Sequence, residues 1–113
     1  MRIPKVEGML AELGEKVKES SESILKAYLL GDLDKALEIA KNDAQIDEMA
    51  ALTHTATLEY MKENPETIVA GSDYLKVATY LERIGDYVTN IAEWISYLDT
   101  GKIVDLSSKP EVE

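Results

Sequence analysis

Helical periodicity runs along nearly all of this chain, and only two short interruptions break it. Apolar residues recur every three to four positions over residues 5–30, 33–63 and 65–99. That spacing lays one apolar stripe along one side of an α-helix. Gly31-Asp32 separates the first segment from the second, and Asn64-Pro65-Glu66 the second from the third. Gly31 suits the left-handed residue that closes a helix, and Asp32 the cap that opens the next. Asn64 suits a cap, and Pro65 the first helical position. Connections this short make successive helices neighbours. No strand alternation, phosphate-binding glycine loop or internal repeat competes with this reading. The expected fold is therefore all-α, an antiparallel three-helix bundle occupying residues 1–106, with 107–113 a frayed tail.

The stripes name the expected core. In helix 1 they are Val6, Met9, Leu10, Leu13, Val17, Ile24 and Tyr28, with Gly8 and Gly14 weakening the helix by up to about 1 kcal/mol each. Ser20, Ser21 and Ser23 make its middle less apolar. In helix 2 a continuous stripe runs through Leu33, Ala36, Leu37, Ala40, Ala44, Ala51 and Leu58. In helix 3, Leu81, Ile84, Val88, Ile91, Ala92 and Ile95 fall within an arc of about 100° at the helical turn angle. Gly71-Ser72 reads as a possible irregularity near its start, and Gly101 as the residue that closes it. Tyr80, Trp94 and Tyr97 flank the helix 3 stripe and suit a bundle seam or a dimer contact. Ile103, Val104 and Leu106 could pack back on the bundle.

Helix 3 carries a second pattern opposite its apolar face. Glu82, Asp86, Asn90 and Glu93 share an arc of about 80° that contains no lysine or arginine. A merely solvated face mixes both signs, whereas an oxygen-only strip is what a hard cation requires. Glu82 and Asp86 are one turn apart, and Asp43 and Asp47 repeat that spacing on helix 2, beside its apolar side. If helices 2 and 3 are adjacent, four carboxylates converge. Like charges so placed need bound cations or raised pKa values. Oxygen ligands of this kind suit Mg²⁺, Mn²⁺, Ca²⁺ or Fe³⁺, and Asn90 and Glu93 could add ligands or supporting bonds. The plainer alternative is a solvated acidic face, with Arg83 pairing Asp86.

Charge and composition narrow the functions. Twenty-two acidic against 12 basic residues leave a net charge of -10, which disfavours nucleic acid and anionic lipid as partners. Cysteine is absent, which removes thiolate metal sites, disulfides and cysteine nucleophiles. No apolar run reaches the roughly 20 residues of a membrane span, so the reading is a soluble, cytoplasmic chain. His54 is the sole histidine and reads as a polar residue between packed helices. No Glu is followed by His three positions on, which disfavours a di-iron carboxylate enzyme, and no nucleophile with a flanking base is recognisable.

The segment Leu81-Glu82-Arg83-Ile84-Gly85-Asp86, with Asn90-Ile91-Ala92-Glu93, resembles the signature of the PhoU family of phosphate-signalling regulators. Asp43-Ala44-Gln45-Ile46-Asp47 resembles that family's other motif. The resemblance implies three-helix units, usually two in tandem, where this chain has one. It implies a multinuclear metal cluster, of iron or otherwise of zinc, manganese or magnesium, on Asp43, Asp47, Glu82 and Asp86, with Asn90 and Glu93 also at motif positions. It further implies a non-enzymatic regulator that restrains phosphate uptake and starvation signalling through a phosphate ABC transporter and a sensor histidine kinase. Tyr87-Val88 stands where the family often has His-Ala. A homo-oligomer could replace the tandem partner. Two rival readings are a metal-independent helical adaptor whose acidic face docks a basic partner, and a carboxylate-bridged metalloenzyme.

Overall fold

Pro4 sets the start of the first helix, because its ring presets φ and its missing N–H costs nothing in the first turn. The structure, a computed structural model, describes residues 2–100, and side chains of residues 2–98. Helix α1 spans Pro4–Leu30, α2 Leu33–Lys41, α3 Asp43–Glu63 and α4 Ile68–Thr100, with a short 3₁₀ turn at Pro65–Thr67. The described residues form no strand. None of their helices is long and apolar enough to cross a membrane.

The first connection follows the sequence closely. Gly31 adopts φ 64°, ψ 30°, its N–H donates to the Tyr28 carbonyl, and the Asp32 N–H reaches back to the Ala27 carbonyl. These paired bonds satisfy carbonyls that the helix end would otherwise leave open. The Asp32 carboxylate then accepts from the Lys35 N–H at 3.0 Å and caps α2. At the second connection the Asn64 side chain does not cap the helix that follows. Its amide donates to the Tyr60 carbonyl at 3.1 Å and closes α3 instead, while the Asn64 carbonyl receives the Thr67 N–H and hydroxyl. Residues 65–67 therefore wind as 3₁₀ before α4 begins. Gly71-Ser72 causes no irregularity. Gly71 is buried, and a Cβ there would run into the Met61 thioether.

The second predicted helix is not continuous. It breaks at Asn42, whose N–H bonds the Ile39 carbonyl three residues back, while its own carbonyl starts α3 by accepting from Gln45 and Ile46. Asparagine competes for backbone hydrogen bonds and so favours such a boundary. The buried side of this two-part rod runs through Ala36, Ile39, Ala40, Asp43, Ile46, Ala50, Thr53 and Thr57. Ala44, Ala51 and Leu58, expected in the core, are exposed. The true stripe was hidden because two of its members are threonines. Each satisfies its hydroxyl on a carbonyl one turn back, Thr53 on Met49 at 2.8 Å and Thr57 on Thr53 at 2.7 Å. Such a threonine presents its methyl outward and packs like valine.

Two apolar clusters hold the helices together. Leu13 and Val17 of α1, Ile46 and Ala50 of α3 and Ala78 of α4 form one. Ile24 and Ala27 of α1, Ile39 and Ala40 of α2, and Val88, Ala92 and Ile95 of α4 belong to the other. The break at Asn42 falls at the waist between them, as do Gly85 in α4 and the serines of α1. Ser21 there donates to the Val17 carbonyl at 2.9 Å. The molecule measures 53 × 31 × 16 Å, about twice as wide as it is thick. So flat an arrangement leaves much of α4 uncovered. Ile84 and Ile91 of its predicted core stripe are exposed, as are Tyr28, Tyr80 and Trp94. The two aromatics on α4 therefore do not fill a seam of the bundle.

Candidate metal centre

The break at Asn42 makes Asp43 the first residue of α3, where the exposed N–H groups of a helix start favour a carboxylate. Asp43 continues the buried side of the rod one turn after Ile39 and Ala40, and is only 5% exposed. Opposite lies Gly85. A Cβ at Gly85 would stand 3.1 Å from Ile46 Cγ2 and 3.6 Å from Asp43 Oδ1. Glycine here lets α3 and α4 approach closely enough for Asp43 to sit between them.

Asp47 follows one turn along α3, half-buried, and Asp86 projects from α4 at the solvent edge. Asp43, Asp47 and Asp86 each offer an oxygen, and these oxygens all lie within 4.8 Å of one another. Asp43 Oδ1 is buried and has no hydrogen-bond partner. The Asp43 carboxyl is pushed up to about 6 from an ordinary 3.8, first by burial and then by the charges of Asp47 and Asp86. The Thr89 hydroxyl opposes them by favouring the charged form, and Glu82 adds a smaller upward push. A buried carboxylate oxygen is normally hydrogen-bonded, so an orphan aimed among other carboxylates is the atom most in need of a cation. The oxygen-only donor set fits a hard or borderline metal ion.

Of the predicted site residues, the structure thus brings together Asp43, Asp47 and Asp86. Glu82 is half-buried and near enough to act on Asp43 through its charge, but it is not one of the three converging carboxylates. Asn90 and Glu93 lie one and two turns beyond Asp86 on α4, the first exposed and the second half-buried. Sequence reasoning missed the supporting residues. Gly85 supplies the space, Thr89 the opposing hydroxyl, and Asn42 the break that makes Asp43 the first residue of α3. A glycine in the middle of an otherwise strong helix was the available signal. His54 has the modest role expected of it, half-buried with its ring nitrogen 3.5 Å from the Thr79 hydroxyl. Arg83 lies over the Tyr80 ring, 5.7 Å from its centroid.

Comparison with known proteins gives a consistent family. The PhoU domain profile matches residues 10–95. The phosphate-specific transport system accessory protein PhoU homolog of Clostridium acetobutylicum is 40% identical over 95 residues, covering 84% of this chain and 43% of the relative. The homolog of Streptococcus pneumoniae is 35% identical over 101 residues, covering 89% of this chain and 47% of the relative. That of Borreliella burgdorferi is 34% identical over 98 residues, covering 87% and 44%. The chain spans a little under half the length of these curated relatives. No solved structure matches it.

Proposed function

The chain belongs to the PhoU family, and on that premise we propose that it is a metal-binding, non-enzymatic regulator of phosphate uptake and phosphate-starvation signalling. The observation that carries the metal reading is the orphaned Asp43 Oδ1, buried among the carboxylates of Asp47 and Asp86. Asp43, Asp47 and Asp86 would hold the ion, with Glu82 as the adjacent fourth carboxylate and Asn90 and Glu93 extending the same face. Three or four carboxylates carry more charge than one divalent ion neutralises, which favours a multinuclear cluster, of iron or otherwise of zinc, manganese or magnesium. When bound, the metal supplies positive charge and a coordination site open to anionic oxygen. The residues supply position. Gly85 sets the helix spacing, the buried side of α3 carries Asp43, and the flanking apolar clusters keep both fixed.

The regulatory role follows from the relatives, which are named as accessory proteins of phosphate-specific transport. Brought to this chain, that name supports action on a phosphate transporter; we further propose that the chain acts in the cytoplasm, in contact with a sensor histidine kinase, as a homo-oligomer of antiparallel three-helix units. The test has two parts. Protein purified without chelator should contain metal by elemental analysis, and Asp43→Asn combined with Asp86→Asn should lose it while keeping its helical circular dichroism. In cells lacking the native gene, the unaltered chain should restore repression of a phosphate-starvation reporter and the double variant should not. Unchanged metal content in the double variant removes the assigned ligands. Full repression by a metal-free variant removes the link between metal and regulation.

A further inference from the structure

Helix α4 carries two basic side chains, Lys76 and Arg83, against five acidic ones. Both cations line one small cavity of about 220 Å³, together with Leu75, Thr79 and Tyr80. Seven residues lie between one cation and the other. That is two turns, so they share one side of the helix about 10 Å apart along its axis. Side chains of their length can close on a single ligand from either end. The Arg83 guanidinium lies over the Tyr80 ring, 5.7 Å from its centroid. Such stacking holds the guanidinium plane and leaves its N–H edge open for bidentate contact. Thr79 stands between the cations, one turn from each. Its hydroxyl donates to the Leu75 carbonyl at 2.9 Å and lies 3.5 Å from the His54 ring nitrogen. With its one hydrogen on that carbonyl, the hydroxyl offers the cavity acceptor lone pairs only.

Charge and size identify the ligand. A guanidinium and an ammonium group together suit the oxygens of a phosphate-type anion. The cavity is smaller than the roughly 300–1,000 Å³ of sites that take drug-sized ligands, which suits a small anion. The acceptor at Thr79 then chooses among tetrahedral anions. Hydrogen phosphate keeps a P–OH that can donate to it. Sulfate has no hydrogen to give, and neither does a phosphate monoester above its second pKa of about 6, so each would face the hydroxyl lone pair to lone pair. The net charge of -10 repels anions at long range. Salt screens that repulsion beyond about 10 Å at 0.1 M, so the two cations set the potential at the cavity.

We propose that this cavity is a binding site for inorganic phosphate, held by Lys76 and Arg83 and selected over sulfate by Thr79. Arg83 makes the bidentate contact, Lys76 supplies charge from the opposite end, and the Thr79 oxygen accepts from the P–OH. Leu75 and the Tyr80 ring form the apolar walls. His54, reaching from α3 to the same hydroxyl, fixes its orientation. None of Asp43, Asp47 and Asp86 lines this cavity, and the contacts need no metal. The site is therefore independent of the metal centre.

The test is calorimetric titration of the full, chelator-treated chain with inorganic phosphate at pH 8 and constant ionic strength. Binding should saturate with Kd on the order of 1 mM or tighter. Sulfate and methyl phosphate should each bind at least about 10-fold more weakly, the effect of one lost hydrogen bond. Lys76→Gln with Arg83→Gln should weaken phosphate by about 10–100-fold. Both side chains are exposed, so helical circular dichroism should be unchanged. Arg83→Lys keeps the charge but loses the fork and should fall between parent and double variant. Thr79→Val should bind phosphate and sulfate alike. Asp43→Asn with Asp86→Asn should bind phosphate at least as well as the parent, which separates this site from the metal centre. Absence of saturable binding overturns the site, as does phosphate binding that survives the Lys76 and Arg83 changes. Equal binding of sulfate and phosphate by the parent overturns the choice made by Thr79.

Discussion

Asp43→Asn should make the metal-free protein more stable at neutral pH while abolishing metal binding. The reason is that Asp43 is a buried carboxylate with one unpaired oxygen among like charges. Its carboxyl sits at about 6 in the folded chain against 3.8 ordinarily. At 1.36 kcal/mol per pH unit that separation amounts to about 3 kcal/mol against the charged, folded form. Asp86 borders solvent, and screening from that side reduces the penalty to about 1–2 kcal/mol. The sign follows from linkage. An acid whose folded pKa is raised costs nothing below 3.8, costs more as pH rises toward about 6, and costs its full amount above that. Urea unfolding of chelator-treated protein should therefore show the parent losing stability across this window. Asp43→Asn should show no such loss and be more stable by about 1–2 kcal/mol at neutral pH, roughly 4–16 °C in Tm for a domain of this size. Added metal should reverse the order, because only the parent gains from binding. A metal-free Asp43→Asn that is less stable than the parent at neutral pH would refute the reasoning, since it would mean that the charged carboxylate is already satisfied.

Other positions test other parts of the argument. Gly14→Ala meets open space in a helix interior and should gain about 1 kcal/mol. Gly85→Ala must push against Ile46 and should instead lose about 1–2 kcal/mol; denaturation midpoints compare the two directly. Thr57→Val should change stability by less than about 1 kcal/mol, because the hydroxyl it removes serves only a carbonyl within its own helix, whereas Thr57→Ala should cost about 2 kcal/mol through the void it leaves. Glu7 is held at about 2, well below its usual 4.5, first by its hydrogen bond from Arg2 and then by that from the Tyr74 hydroxyl. Its contribution is present above 4.5 and is lost as pH falls toward about 2. Glu7→Gln should flatten the acid limb of a stability–pH curve, and an unchanged limb would exclude the Arg2–Glu7–Tyr74 contact. Asp32→Ala should cost about 1 kcal/mol by removing the cap on the Lys35 N–H.

The parts of this protein legible in its sequence are those decided by local physics. Gly31-Asp32 ends one helix and starts another because glycine tolerates positive φ and aspartate caps, and both hold wherever the helices go. The carboxylates at Asp43, Asp47, Glu82 and Asp86 could be marked because a four-residue spacing fixes which side chains share a helix face. What the chain alone could not show is which way a face turns. The buried side of the second rod runs through Ile39, Asp43, Ile46 and Ala50 to Thr53 and Thr57, so Ala44, Ala51 and Leu58 look outward. A stripe containing hydroxyls is invisible to a hydrophobic pattern until each hydroxyl's carbonyl is located. Ile84 and Ile91 fail the opposite way. They have core chemistry but stand uncovered, because a slab of three rods has too few neighbours to enclose α4. Most of all, the close approach at Gly85 is a property of two helices together. The sequence by itself determined the acidic face and the apolar stripe of α4. Only the tertiary structure decided that Asp43 would be driven among those acids with one oxygen left unpaired, since burial and distance exist only once α3 and α4 have met.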